Sequence, residues 1–438
     1  MHPKIHRLIT TAAVVAAFGA LGTSAHAQSS DAIVNKLVQK GLLTQQEADD
    51  LRKESKEDFS KAYHSESGMA AWVNKINFHG DFRGRANFLS SDSDNAVDRF
   101  RLRYRLRANV ELALKDNFDV CFGLGRGDAG GNPLSNNTTL ENNGSKKPIW
   151  VDLAYAKWTP INSVDWTASA TFGKMRNPLS VSAMVIDPDY TPEGAALQTA
   201  YKFDDVHTLK LNGGAFVLDE LSASSHDPYL LSAQAIWEAK WNKHFETTLG
   251  VAAFDILSPE SLTTANVPNY NGGNTRDASG ALVHSYNPIV VSGSVTYKLD
   301  SFPGYHGAFP IKVAGEYLNN PATSSQNVGW WAGATFGSAG KKGNWDLSYR
   351  YQRLEADAWY EELVDDDNVA YFQSAGAGDK SGLVAGTNIK GHLVKLNYSI
   401  NDALTFGLIG YFNELIVPTP AGSKSGGMFL AADVLWKF

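Results

Sequence analysis

The sequence predicts an all-β protein, a transmembrane antiparallel β-barrel of about 16 strands that follows a short N-terminal helical segment. Three observations lead to this prediction. From residue 72 to the C-terminus, apolar and polar residues alternate with the period of two that strands show. Strand-like stretches are joined alternately by short and long connections. After the N-terminus there is no run of about 18 apolar residues, so membrane-spanning helices are not expected.

The N-terminus has the three parts of a secretory signal peptide. Lys4 and Arg7 form a basic region, residues 8–21 form an apolar region, and residues 25–27 read Ala-His-Ala, a cleavage site of small residues. We therefore expect residues 1–27 to be a signal peptide. The apolar stretch is too short for the alternative, a membrane anchor.

Residues 28–71 carry helical signals instead of strand signals. Thr44-Gln45-Gln46-Glu47 is a capping box, in which the first and last side chains satisfy each other's backbone donors. We expect a periplasmic helical leader over 28–71, followed by the barrel over 72–438. The leader has two possible roles, an oligomerisation or cell-wall contact or simply a mobile segment. We favour the mobile segment because isolated helices this short are marginal in water.

Composition excludes several classes of protein. The formal net charge of -7 makes the chain a poor partner for nucleic acid. Cys121 is the single cysteine, so neither an intrachain disulfide nor a multi-cysteine metal site is expected. The sequence contains no phosphate-binding loop and no nucleophile elbow. We therefore expect no cofactor, no metal and no catalytic residues.

The second predicted strand, 98–114, separates apolar from charged residues most sharply. One of its faces is apolar from Phe100 to Leu112. The other face carries Arg99, Arg101, Arg103, Arg105, Arg107 and Glu111. Burying so many unpaired charges would cost many kcal/mol, so this face must meet water while the other meets an extensive apolar medium. Arg83 and Arg85 on the preceding strand join this row, because neighbouring strands lie about 4.8 Å apart. These eight residues are the predicted pore lining.

Alternation continues through sixteen predicted strands. Their approximate spans are 74–88, 98–114, 117–126, 148–158, 164–174, 195–203, 206–218, 229–241, 244–255, 286–299, 308–318, 327–338, 343–353, 388–399, 403–413 and 427–438. The long connections, 127–147, 175–194, 256–285 and 354–387, all fall on one side, as the outer loops of such barrels do. The last strand alternates to a terminal Phe438, which resembles the recognition signal of outer-membrane barrels.

The arginine row has two interpretations. As the basic wall of a lumen it would attract anions. Alternatively, carboxylates facing it would create a transverse field without net selectivity. Asp187, Asp189 and Glu193, in the third outside loop (175–194), are the candidate carboxylates, and an inward fold of that loop would make them a constriction. An ordinary exposed loop is the competing interpretation.

Several motifs, in this order, resemble the putative porin family of Gram-negative outer membranes. They are Lys40 to Thr44 in the leader, Gly173-Lys174-Met175-Arg176-Asn177-Pro178-Leu179, Asp187 to Gly194, Glu355 to Ala358, and Gly386 to Gly391. The resemblance covers nearly the whole mature chain. It implies a diffusion channel for small hydrophilic solutes, either a homotrimer or a monomer, without enzyme activity.

The acidic run at 365–367 has no counterpart in that family that we can match. With Glu361 and Glu362, it would bind divalent cations among the phosphates of lipopolysaccharide. We favour a solvated acidic loop tip instead, because a run of like charges prefers water.

The sequence therefore predicts passive diffusion across the cell outer membrane, through a barrel surrounded by lipids and lipopolysaccharide. Two other functional classes stay open. One is a structural anchor or adhesin that contacts the cell wall through 28–71. The other is a lipid hydrolase carried on the barrel, although no catalytic constellation points to it.

Overall fold

The chain divides into two units, Met1–Ala71 and Trp72–Phe438, in a computed structural model. The residues that it describes are 36–40, 43–51, 53, 70, 72–127, 132–267, 272–373 and 382–438. The predicted signal peptide and much of the predicted leader lie outside these residues. Among the residues described, no helix is long and apolar enough to cross a membrane.

The described part of the first unit is helical at 36–39 and 45–51. The predicted capping box is confirmed there. The Thr44 N–H donates to Glu47 Oε2 at 2.8 Å, and the Glu47 N–H donates to Thr44 Oγ1 at 3.2 Å. Two of the backbone donors that a helix start leaves open are thus satisfied by these two side chains.

The second unit is a sheet of 17 strands that closes on itself, plus a separate two-stranded hairpin. The strands in the described residues are β1 Val73–Ser91, β2 Arg99–Leu114, β3 Phe118–Gly125, β4 Thr138–Thr139, β5 Trp150–Asn162, β6 Trp166–Lys174, β7 Glu193–Lys202, β8 His207–Val217, β9 Tyr229–Lys240, β10 Phe245–Leu257, β11 Ile289–Leu299, β12 Phe309–Asn319, β13 Val328–Gly337, β14 Trp345–Leu354, β15 Val369–Tyr371, β16 Leu383–Ala385, β17 Ile389–Ser399, β18 Leu404–Leu415 and β19 Gly427–Lys437. Short 3₁₀ turns cover Lys115–Asn117, Pro259–Ser261 and Glu361–Leu363.

Closure is made by β1, which pairs with β2 along one edge and with β19 along the other. Arg85, for example, lies opposite Arg103 on β2 and opposite Asp433 on β19. Apart from the two-residue β4, the sheet consists of sixteen strands paired antiparallel around the ring. The predicted fold class is confirmed, and the ends of the sixteen predicted strands agree with those observed to within four residues.

The strands turn their apolar side chains outward. On β2, Phe100, Leu102 and Leu106 are exposed on the outer surface, while Arg103 and Arg105 between them are buried inside. Only lipid can cover such an outer surface favourably, whereas the inner faces enclose a lumen. Short turns join the strands at one end of the barrel and long connections join them at the other.

Two of the long connections fold into the lumen, 175–192 and the described parts of 355–388, which are 355–373 and 382–388. Their apolar side chains pack against the inner faces of β8 to β14, and Trp359 is fully buried with its ring centroid 5.0 Å from that of Phe254. We call this cluster the lumen core. Its members include Met175, Leu179, Met184, Val185, Ile186, Phe216, Leu230, Phe254, Ile256, Leu262, Leu282, Tyr286, Leu318, Leu354, Trp359, Tyr360, Leu363 and Val364.

Candidate functional site

The predicted arginines come together on one wall of the lumen. We call this set the arginine wall, and it consists of Arg83 and Arg85 on β1 with Arg99, Arg101, Arg103, Arg105 and Arg107 on β2. The register sets Arg83 opposite Arg105 and Arg85 opposite Arg103, so the side chains form paired rungs. They all point inward because alternate strand residues face opposite sides and the apolar ones face lipid. Glu111, the eighth predicted residue, lies nearer the turn end, opposite Asn77 and Cys121.

A first set of carboxylates binds the turn side of this wall. Asp189, from the connection 175–192, accepts hydrogen bonds from Arg105 Nη1 at 2.8 Å and Arg107 Nη1 at 3.3 Å. Asp81 on β1 accepts from Arg105 Nε at 3.0 Å and from Arg107 Nε at 2.8 Å. Burial would raise the pKa of Asp189, but the charges of Arg105 and Arg107 outweigh it and hold that pKa below its ordinary value. We call these four residues the Asp189 clamp.

A second set of carboxylates binds Arg85. The carboxylate of Asp433 on β19 accepts two hydrogen bonds from Arg85, from Nε at 2.7 Å and from Nη2 at 2.9 Å. Asp367, from the connection 355–388, accepts from Arg85 Nη1 at 2.6 Å. Burial again opposes ionisation, but the charge of Arg85 holds the pKa of Asp367 below its usual value. We call these three residues the Asp367 clamp.

The favoured interpretation of residues 365–367 as a solvated tip is wrong. Asp365 is buried, its carboxylate accepts the Tyr411 hydroxyl at 2.5 Å, and Arg350 Nη2 lies 3.8 Å from it. Glu361 is buried as well, against Arg276 Nη2 at 2.6 Å. The cause is the apolar sequence before the run, which buries itself in the lumen core and takes the acidic residues inward to basic partners.

Three carboxylates meet where the two inward connections touch. Oxygens of Asp187, Asp365 and Asp366 lie within 4.8 Å of one another, and the Asp366 N–H donates to Asp187 Oδ2 at 3.1 Å. Burial, together with the charges of the two adjacent aspartates, raises the pKa of Asp366 to about 8. Burial and the charge of Asp366 raise the pKa of Asp187 as well. This arrangement resembles a cation site, but Arg350 and the Tyr411 hydroxyl balance it, which favours a shared proton over a metal ion.

The loop placement of Glu193 is wrong. Glu193 is the first residue of β7, because the ladder between β6 and β7 continues to the pair formed with Lys174. Glu193 lies an even number of residues from the outward-facing Leu197, so it is on the same face of the strand. Its carboxylate accepts a hydrogen bond from Lys174 Nζ at 2.9 Å on that outer face. Of the three candidate carboxylates, Asp187 and Asp189 lie in the lumen and Glu193 does not.

The polar part of the lumen lies on the side of the arginine wall. A cavity of about 480 Å³ adjoins the Asp189 clamp and opens between β1, β2, β19 and the start of the connection 175–192. Its lining includes His79, Arg107, Asn109, Asp152, Arg176 and Tyr190. The opposite side of the lumen is filled by the lumen core.

Sequence reasoning missed Asp433 and Asn137 as partners of the wall, whereas Asp81 follows from the sequence pattern. Asp81 lies two residues before Arg83 on the same strand, so the alternation sets both side chains on the same face. Asp433 shares the parity of the inward residues of the last strand, but only the closing register brings it to Arg85. Asn137 lies within the long connection between β3 and β5 and gives no periodic signal; its Oδ1 accepts from Arg83 Nη2 at 2.6 Å.

Comparison with known proteins agrees with this architecture. The family model described as "Putative porin" matches residues 91–279, somewhat less than half of the chain. This match confirms, over that stretch, the resemblance predicted from the sequence. No curated protein sequence matches the chain.

Among solved structures, OprB of Pseudomonas putida, solved at high pH, aligns with a TM-score of 0.50 and 12% identity over 83% of this chain and 94% of that one. The outer-membrane channel DcaP of Acinetobacter baumannii aligns with a TM-score of 0.43 and 13% identity, over 83% and 97% of the two chains. OccAB1 of the same organism gives 0.45 and 11%, over 84% and 98%. At these identities the alignment with OprB bears on the fold alone.

The family match and the closed barrel together confirm the predicted location in the outer membrane. They support a porin-type channel and indicate a channel rather than an enzyme.

Proposed function

We propose that the protein is a passive diffusion channel for small hydrophilic solutes and that its permeation path runs along the arginine wall. The observation that carries this proposal is the asymmetry of the lumen. Apolar side chains of the two inward connections fill the side of β8 to β14, while guanidinium groups and a polar cavity occupy the side of β1 and β2. Hydrated solutes avoid the apolar side because they would lose water contacts there.

The same asymmetry favours anions over cations. A cation passing the wall would meet guanidinium groups from seven arginines on two adjacent strands. The carboxylates that face them, such as Asp189 and Asp367, are themselves bound by guanidinium groups at 2.6 to 2.8 Å, so they offer little to a passing cation. A lumen lined by one sign of charge concentrates ions of the other sign.

Conductance of the purified protein in planar bilayers tests this function. We expect stepwise, ohmic channels, and a reversal potential in a KCl gradient on the chloride side of zero. Replacing Arg103 and Arg105 by Ser should move the reversal potential toward potassium, because two positive charges leave the path. Bilayers that stay silent would refute the channel, and a reversal potential at zero would leave a channel whose wall and loop carboxylates cancel.

The assembly and the contacts outside the barrel follow from the resemblance rather than from the site. We propose a homotrimer or a monomer in a shell of outer-membrane lipids and lipopolysaccharide, with cleavage after residue 27 and possible cell-wall contact through 28–71. The mass of the detergent-solubilised protein, N-terminal sequencing and a peptidoglycan pull-down test these points separately. If the protein gives no conductance in bilayers but binds peptidoglycan, the structural anchor is favoured instead.

A further inference from the structure

Between the two clamps lies a guanidinium, that of Arg83, that is only loosely paired with a carboxylate. Arg83 is one inward position from Arg85 on β1 and stands opposite Arg105 on β2. Its Nη1 is 4.0 Å from Asp433 Oδ2, and in the described part of the chain no other carboxylate comes within that distance. Arg85, in contrast, has carboxylate oxygens at 2.6 and 2.7 Å. The wall therefore has one rung with incomplete counter-charge.

The surroundings of Arg83 make that deficit costly. Its side chain is only 14% exposed, and positive charges stand on both sides of it in Arg85 and Arg105. Its Nη2 donates to Asn137, but its Nε has no hydrogen-bond partner. A poorly hydrated guanidinium among like charges is stabilised by whatever anion can reach it.

The connection between β3 and β5 contacts this rung through Asn137. Asn137 is almost fully buried, and Ser135 Oγ accepts a hydrogen bond from its side-chain amide at 3.2 Å. Its Oδ1 accepts from Arg83, while its backbone carbonyl accepts from Arg103 Nη2 at 3.4 Å. One residue thus accepts hydrogen bonds from two guanidinium groups and holds them beside each other. Guanidinium groups bind carboxylate and phosphate oxygens through paired hydrogen bonds.

We propose that Arg83, with Arg103 beside it, forms a binding site for one anionic group, the carboxylate or phosphate of a small solute, between the Asp189 clamp and the Asp367 clamp. The inference rests on the proposed channel function and assigns it a discrete, saturable step. A solute that carries one such group fits best, because a second negative group would approach Asp189 on one side or Asp367 on the other.

Block of chloride current in planar bilayers tests the site, with acetate and inorganic phosphate as the two probes. We expect each probe, or the one whose geometry fits, to reduce the current with a saturable concentration dependence. Arg83→Gln should raise the half-blocking concentration about tenfold, because charge-assisted paired hydrogen bonds are lost. Arg83→Lys keeps the positive charge but loses the paired N–H donors of the guanidinium, so it should raise the half-blocking concentration by less. Lys312→Gln is the matched control, since it removes a lumen-side charge on β12, away from the wall.

The outcomes separate this site from the channel itself. Silent bilayers with the unaltered protein would refute the proposed function. Chloride channels whose block does not saturate, or whose half-blocking concentration is the same in Arg83→Gln and Lys312→Gln, would overturn the site and leave the channel standing. If Arg83→Gln does not insert, Arg83→Lys decides, and an unchanged half-blocking concentration in it refutes the site. Block by acetate alone or by phosphate alone tells which chemistry the site accepts.

Discussion

Replacing Asp189 by Asn removes a negative charge from the arginine wall without removing the loop that carries it. The loop keeps its other anchors. The Ser180 N–H donates to Gln234 Oε1 at 2.9 Å, and Trp359 Nε1 donates to the Val185 carbonyl at 2.6 Å. Arg105 and Arg107 would then keep one carboxylate, that of Asp81, instead of two. We expect the channel to become more selective for anions.

The size of the effect follows from Coulomb's law. An ion that passes about 5 Å from the lost charge changes in energy by about 0.8 kcal/mol in water. Screening at roughly 0.1 M salt, with a Debye length of about 10 Å, reduces this to about 0.5 kcal/mol. That is about a twofold gain in local anion concentration and a matching loss of cations, or about a fivefold change in the ratio of the two.

The reversal potential in a KCl gradient measures this ratio. Glu193→Gln is the matched control, because it removes one carboxylate from the end of the same connection, but on the outer face, where it pairs with Lys174. We expect no shift in the control. A shift toward potassium in Asp189→Asn, or equal shifts in both variants, would refute the claim that ions pass beside the Asp189 clamp.

Three further predictions concern the clamps and the lumen core. Asp433→Ala leaves the buried Arg85 with Asp367 alone, so we expect a loss of about 3–5 kcal/mol, measured as a lower midpoint of unfolding in denaturant. Trp359→Ala opens a cavity in the lumen core and removes the hydrogen bond to Val185, so we expect a loss of about 3–5 kcal/mol from the docked loops and larger, noisier single-channel currents. Asp366, with its pKa raised to about 8, favours the docked loops in its neutral form. That contribution is present in acid and is lost as the pH rises from the ordinary aspartate value through 8, so current noise should increase as the pH approaches 8 and level off above it.

Each of these three has an informative contrary result. An unchanged unfolding midpoint in Asp433→Ala would mean that Arg85 does not need its second carboxylate. Quiet currents of ordinary size in Trp359→Ala would mean that the inward loops do not depend on the lumen core. The pH effect should disappear in Asp366→Asn, and noise that persists in this variant would assign the titration to another group.

The barrel itself was predictable because lipid imposes a rule on every strand. Arg103 and Arg105 alternate with Leu102 and Leu106, and a period of two sets such residues on opposite faces whatever the register. Strand number and strand ends follow from the same pattern. The pairing Arg85 with Asp433 did not follow, because it depends on the register at closure between strands far apart in sequence.

The inward loops were harder to predict, because loops carry no periodic signal. Asp187 and Asp189 were proposed to face the arginines, but the connection 355–388 was assigned to water on the strength of its acidic run. Its hidden signal was the apolar pairs Trp359-Tyr360 and Leu363-Val364, which an exposed loop would not be expected to carry. Apolar content in a barrel's long connection therefore deserves as much weight as its charge.

The lumen core gives this barrel a division of labour between its two halves. The two inward connections pack mainly against β8 to β14, and the described part of 355–388 also packs against Leu89 on β1 and against β17 to β19. Their carboxylates in the clamps contact the guanidinium groups of β1 and β2. We therefore expect changes among these arginines to retune which ions pass while the bore keeps its width. Changes among the apolar anchors would do the reverse, and widen the bore while leaving its charge in place. Selectivity and size are thus set by separate sets of residues and can be altered one at a time.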